Sequence, residues 1–397
     1  MKKQICAGVL CALLLCALVP AVPAASDRNT FSDIQGHWAQ TEIEAAMDQG
    51  WVNGYPDGTF RPDGTITQAE FVKMLLAATH LTPGSTTIDW MRDHAFLWTS
   101  NSYMIEYTPT LADTSDHWLT RQGWTDAALY SGLVVPSDYS GRKFYPNQNI
   151  KRYEISLMAA RSLGLVYAAQ QPLTEELAFT DKNDIQDWVK GYVNEAAKAG
   201  VITGYPDGSF GAKQTATRAE AVVMAARAVK YMEQGLEPDA TVTVQYFVTS
   251  SEGGEDYTTK PEDFYVQVID DVVYIPVQRL FHIRETLGQS IYPTDWSWWN
   301  PVTQEYCQGD DYTWQFKAGS KRFVGNAIFF SPEMLYSEDY LLAPPRMLYG
   351  ELMVPVYTPE GTEGMDIQHN FFFADSWNPD TKELTLELWH DPVRYPS

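Results

Sequence analysis

The stretch Gly54-Tyr55-Pro56-Asp57-Gly58-Thr59-Phe60 recurs 150 positions later as Gly204-Tyr205-Pro206-Asp207-Gly208-Ser209-Phe210. Each copy is followed at the same distance by a second element, Thr67-Gln68-Ala69-Glu70 and Thr217-Arg218-Ala219-Glu220. Chance does not give that agreement, so the chain contains repeats, and any fold proposed for it must accommodate them. Tyr-Pro-Asp-Gly reads as a tight turn: proline presets φ at the second turn position, and glycine takes the φ > 0 that other residues resist. Thr-x-x-Glu reads as a capping box, with threonine capping a new helix and glutamate reaching back to the cap's own N–H. Upstream, Phe31-Ser32-Asp33 marks another helix start, with Asp33 as the expected N-cap. The unit is therefore helix, turn-rich loop, helix. The second helix carries Phe71, Met74, Leu75 and Ala78 on one apolar face.

A weaker third copy lies between the two. Ala112-Asp113-Thr114 and His117-Trp118 match Ser32-Asp33-Ile34 and His37-Trp38, and Phe144 stands ahead of Glu154 as Phe60 stands ahead of Glu70. The Gly-Tyr-Pro-Asp-Gly turn is replaced by the longer Pro136-Ser137-Asp138-Tyr139-Ser140-Gly141, and Lys151 occupies the position of the capping threonine, so the box is expected to be lost. Three such units, with Trp38, Trp118 and Trp188 early in each, resemble S-layer homology domains over about residues 31–230. The resemblance implies an all-α, pseudo-threefold bundle of repeats at 31–80, 111–165 and 179–230, interrupted by an insert at 81–110. It implies a cell-surface protein of Gram-positive-type cells that grips pyruvylated secondary cell-wall polysaccharide, or a peptidoglycan-linked glycan, in grooves between repeats.

Arg218 is the principal candidate for gripping that polymer. It falls in the first turn of a helix, where free N–H groups and the dipole favour an anion, and its fork can take a carboxylate in a bidentate pair. On this reading Arg218 is exposed, Gly204 lets the backbone approach, Tyr205 and Trp188 offer flat faces to a sugar, Asp181 accepts sugar hydroxyls and Thr217 completes the motif. The first copy contributes Asp33, Trp38, Gly54, Tyr55 and Gln68, with glutamine where the family has arginine. The second contributes Asp113, Trp118 and Arg152 without the glycine–tyrosine pair. The competing reading makes the tryptophans core and the aspartates caps.

Residues 1–25 read as a secretory signal: Lys2 and Lys3, an apolar run from Ile5 to Val19, and small residues before a cut after Ala24 or Ala25. Cleavage leaves Cys307 as the one cysteine, so no intramolecular disulfide is expected. The net charge of −23 argues against nucleic acid and against anionic membranes as partners. Capture of an anionic wall polymer must then rest on local positive features.

After the linker Gln234-Gly235-Leu236-Glu237-Pro238 the pattern alternates, beginning with Thr241-Val242-Thr243-Val244. Strands are expected at 264–269, 272–277, 313–316, 351–356 and 383–388, with a short helix at 280–287, so residues 240–397 form a β-rich α+β domain. Two blocks repeat inside it. Val272 to Val277 leads to Trp299-Asn300-Pro301-Val302-Thr303, and Glu351 to Val356 leads to Trp377-Asn378-Pro379-Asp380-Thr381-Lys382. This is similar to the copper amine oxidase N-terminal-like stalk domain, a resemblance that implies neither copper nor oxidase chemistry. Trp296 and Trp298 share one side of an extended run and offer a second glycan surface, whereas Trp299 reads as core. Gly-x-Ser-x-Gly, His-Glu-x-x-His and phosphate-loop motifs are absent, and His282, His369 and His390 lack ligand spacing. The expectation is an anchor that displays its C-terminal half, with no catalytic residues, metal or cofactor. The rival readings are a wall-glycan adhesin and a wall-remodelling hydrolase.

Overall fold

The computed structural model describes residues 31–98 and 104–234, and in the C-terminal half 241–250, 257–258, 262–269, 271–277, 297–308, 312–317, 322–327, 339–340, 344–357, 373–381 and 383–390. The signal segment, the linker after Gln234, the expected helix at 280–287, His282, His369 and Trp296 lie outside these residues.

The N-terminal half is built from helices α1 (Gln40–Asp48), α2 (Gln68–Ala78), α3 (Thr86–Asp93), α4 (Trp118–Arg121), α5 (Trp124–Tyr130), α6 (Arg152–Ser162), α7 (Val166–Ala169), α8 (Asp187–Lys198) and α9 (Arg218–Glu233). The capping boxes form where the sequence places them. Thr67 Oγ1 accepts from Glu70 N while Glu70 accepts from Thr67 N, and Thr217 and Glu220 do the same. At α6 half the box survives: Glu154 accepts from Lys151 N at 2.7 Å, but an ammonium has no lone pair to give in return.

Just before α2, α6 and α9 three segments of the chain meet in a closed ring. Ile66 N donates to Ala216 O, Ala216 N to Ile150 O, and Ile150 N to Ile66 O. Ile66, Ile150 and Ala216 are fully buried at its centre. The next residues continue the relation: Arg218 N donates to Gly64 O, Gln68 N to Gln148 O, and Arg152 N to Gln214 O. Each long helix thus starts against the loop of a neighbouring unit. Phe60, Phe144 and Phe210, one per loop, are all fully buried.

Contrary to the expectation that made Asp33 an N-cap, none of Asp33, Asp113 and Asp181 caps a helix; the residue at the N-cap of α1 is Ala39, without a side-chain bond. Each carboxylate instead staples its unit's start to its own loop some thirty residues on. Asp33 accepts from Phe60 N and Arg61 N, Asp113 from Phe144 N and Tyr145 N, and Asp181 from Phe210 N, Gly211 N and Ala212 N. The half is also not purely helical. The insert holds α3, capped by Ser85, and then a hairpin pairing Phe96–Trp98 with Met104–Glu106.

The described C-terminal residues are strands. One antiparallel sheet runs Arg346–Leu348, Glu351–Tyr357, Val272–Pro276, Gln267–Ile269, so the two repeated blocks pair directly, Val354 opposite Ile275. A five-stranded sheet runs Asp339–Tyr340, Arg322–Ala327, Tyr312–Lys317, Glu305–Gln308, Ser297–Asn300. In a third, Thr241–Ser250 pairs in parallel with Glu383–His390. No helix among the described residues is long and apolar enough to cross a membrane.

Candidate functional site

The residues after the capping position decide how the units join. Arg218, at the start of α9, is 6% exposed and reaches across to the first unit's loop. Its Nε donates to Phe60 O at 3.0 Å and an Nη to Asn53 O at 3.2 Å, with Glu70 at 3.5 Å. The guanidinium lies over the rings of Phe60 and Tyr55. Arg152, 4% exposed, repeats this one unit on: Nε to Phe210 O at 2.8 Å, an Nη to Glu220 at 3.0 Å, and the guanidinium 4.4 Å above Tyr205. Gln68 is the third member. It is equally buried, and its Oε1 has no hydrogen-bond partner among the described residues. Glu154, which stands at the position of Glu70 and Glu220, forms no ion pair among the described residues, and burial pushes its carboxyl above the usual range despite the N–H of Lys151.

This geometry corrects the grouping expected from the sequence. Arg218 is buried, not exposed, because its fork carries the contact between units. It meets Tyr55, not Tyr205, which belongs with Arg152 and donates its hydroxyl to Glu220 at 2.9 Å. One face of each tyrosine is therefore taken by an arginine; Tyr55 also has Arg61 stacked at 3.9 Å. Gly54 and Gly204 make room for phenylalanine: a Cβ at Gly54 would fall 2.0 Å from Phe31, and one at Gly204 2.9 Å from Phe179. Thr217 is occupied as a cap. The oxygens of Asp181 hold backbone N–H groups, which outweigh its desolvation and keep its carboxyl below the usual value, as they do for Asp33. Trp298 is buried and cannot offer a glycan surface.

The tryptophans fall the other way. Trp38 is 62% and Trp188 49% exposed. Trp118 is half-buried and lines a groove of about 270 Å³ with Trp51, Val52, Asn53, Glu70, Lys73, Met74, Gln122 and Arg218. The groove thus draws a loop and helix from the first unit, an indole from the second and a guanidinium from the third. The threefold relation assigns Trp188 to the Gln68 junction, where it meets Tyr153 edge-on at 6.5 Å, and Trp38 to the Arg152 junction.

Lys73 was not singled out from the motifs, yet it is the residue that distinguishes the groove. It forms no ion pair among the described residues. One turn below Glu70, its counterparts are Leu157 and Val223. The Arg218 groove therefore holds two cations against Glu70, the Arg152 junction holds one against Glu220, and the Gln68 junction has Glu154 without a guanidinium. Aligning the three units on their glutamates would have exposed the difference.

Residues 30–72 and 178–222 match the S-layer homology domain family. These are the two segments that hold the Gly-Tyr-Pro-Asp-Gly turns. The chain is 27% identical over 196 residues to an amylopullulanase of Thermoanaerobacterium thermosulfurigenes and 28% identical over 195 residues to exoglucanase XynX of Acetivibrio thermocellus. Both alignments cover 49% of this chain but only 9% and 16% of those proteins. A stretch of 48 residues, 12% of the chain, is 46% identical to 11% of a cellulosome-anchoring protein of Acetivibrio thermocellus.

Proposed function

We propose that this chain is an exported cell-surface protein whose residues 31–234 bind an anionic wall glycan, in keeping with a pyruvylated secondary polysaccharide, and so hold the C-terminal half at the wall. The observation that carries this is the groove shared by Arg218, Lys73 and Trp118. An indole gives a sugar ring an apolar face, and two cations against one carboxylate leave a local positive charge in a chain of net charge −23. Arg218 commits two donors to loop carbonyls and holds the wall of the groove. Lys73 supplies the free ammonium for a ketal carboxylate, and Asn53 and Gln122 supply amides for hydroxyls. The Arg152 junction, charge-balanced by Glu220, suits neutral sugar hydroxyls. The C-terminal half is the displayed part, and its paired blocks fit a stalk of the amine oxidase N-terminal-like kind.

The test is binding to purified wall sacculi before and after acid removal of the secondary polysaccharide. Lys73→Ala is expected to weaken binding about tenfold, in line with one charge-assisted contact, and Lys73→Glu to abolish it, both with unchanged melting. Binding indifferent to Lys73, or undiminished after acid extraction, overturns the assignment.

A further inference from the structure

The C-terminal half is not joined to the helices by its linker alone. Trp299 N donates to His94 O at 2.7 Å, and its indole N–H donates to Tyr130 O at 2.9 Å. Gln304 Nε2 donates to Arg161 O at 2.8 Å. Tyr306 stacks on Trp90, and Tyr349 meets His80 edge-on. Trp299 and Gln304 are both buried.

All these contacts fall at one end of the helices. Tyr130, Arg161 and His94 stand at the C-terminal ends of α5, α6 and α3. The groove lies at the other end, with Arg218, Gln68 and Arg152 at helix starts. Eleven residues of α2 or α6 at 1.5 Å per residue separate the two ends by about 16 Å. The glycines after α1, α5 and α8 give an internal comparison. Gly50, Gly132 and Gly200 share positive φ values of 76°, 75° and 71°. A Cβ at Gly50 or Gly200 would meet nothing within 4 Å, whereas at Gly132 it would lie 2.0 Å from Pro301 O. Among the described residues, only in the second unit is this helix end a seat.

We infer that the second unit, besides lending Trp118 and Gln122 to the groove, has taken on a structural role at its other end. Together with the insert, it clamps the C-terminal half rigidly at the bundle end opposite the groove. The Trp-Asn-Pro-Val-Thr turn at 299–303 is the plug. Its twin at 377–381 adopts the same turn, Asn378 accepting from Asp380 N and Thr381 N as Asn300 accepts from Val302 N and Thr303 N, but residues 378–381 lie exposed. A protein held at its groove end then points this half away from the wall in a fixed orientation. The fixed direction relative to the wall rests on the glycan reading; the rigid seat does not.

The test uses the full chain with native cysteines changed to serine and spin labels on Asp48→Cys and Asp380→Cys, both exposed positions. The wild type is expected to give one narrow interspin distance. Gly132→Ala should broaden it, while Gly50→Ala and Gly200→Ala, which carry the same backbone strain, should leave it narrow. Gln304→Ala, a milder change, should broaden it in part. A broad distribution in the wild type, or no difference between Gly132→Ala and the two controls, overturns the inference. Sacculus binding measured alongside separates the readings: a broad wild-type distance with binding intact refutes the seat alone, and absent binding with a narrow distance refutes the anchor alone.

Discussion

Replacing Arg218 with alanine removes two bonds from a charged donor, a buried one to Phe60 O and a part-buried one to Asn53 O, and strips a cation from over two aromatic rings. Net contributions of about 1.5–3 kcal/mol for each bond to a charged group, and about 1 kcal/mol for the stacking, set the gross loss. Desolvation of the guanidinium is relieved at the same time, so the expected net cost is about 3–5 kcal/mol. For a helical half of this size that lowers Tm by about 10 °C. Arg218→Lys should recover little, because an ammonium cannot place two donors in the plane of the fork. The assay is thermal unfolding followed by circular dichroism, with sacculus binding measured at a temperature where both proteins are folded. Binding then falls as well, since the groove wall moves, but the melting shift separates Arg218 from Lys73, whose loss should leave Tm unchanged. An Arg218→Ala protein that melts within about 2 °C of wild type would refute the clamp, because so small a change cannot accompany the orphaned buried carbonyl of Phe60 together with the lost bond to Asn53 O and the lost stacking.

The remaining predictions concern the Gln68 junction and the contacts that fix each unit's own loop. Gln68→Arg should raise Tm, by about 1–2 kcal/mol of added stability, since it supplies the guanidinium that the other two junctions have and pairs with Glu154. In the wild type the raised folded-state pKa of Glu154 gives stability below its ordinary value that is lost as pH rises through the raised one. Gln68→Arg should abolish that loss, seen as a flatter profile of Tm against pH from the ordinary carboxylate range upward. Asp181→Ala should cost about 2 kcal/mol by freeing three loop N–H groups. The lowered pKa of Asp181 contributes stability above its unfolded value that is lost as pH falls through the folded one, so the mutant's acid limb should be shallower than the wild type's. Gly54→Ala should destabilise more than Gly58→Ala, because a Cβ at Gly54 strikes Phe31 and one at Gly58 meets open space, although Gly58 alone of the two has positive φ; chemical denaturation measures both.

Local features were legible in the chain itself. The Tyr-Pro-Asp-Gly turns, the Thr-x-x-Glu boxes and the alternating strands depend on neighbours within a few residues, and their physics is written in that window. The repetition also announced two copies of one unit, with a weaker third between them. What the local window did not contain was which unit each side chain would serve. Arg218 follows Tyr205 by thirteen residues yet packs on Tyr55, because the backbone ring of Ile66, Ile150 and Ala216 sends the start of every long helix into a neighbour's loop. That decision turned a presumed exposed ligand into a buried clamp and made Lys73, inconspicuous in sequence, the free charge of the groove. The seat at Gly132 was equally hidden. Its glycine looks like Gly50 and Gly200 in sequence and in φ, and only Pro301, brought from far along the chain, makes it different. Backbone propensity acts over a turn and can be read from residues in order; burial and charge compensation act through space, and those were settled only when the units and the C-terminal half packed together.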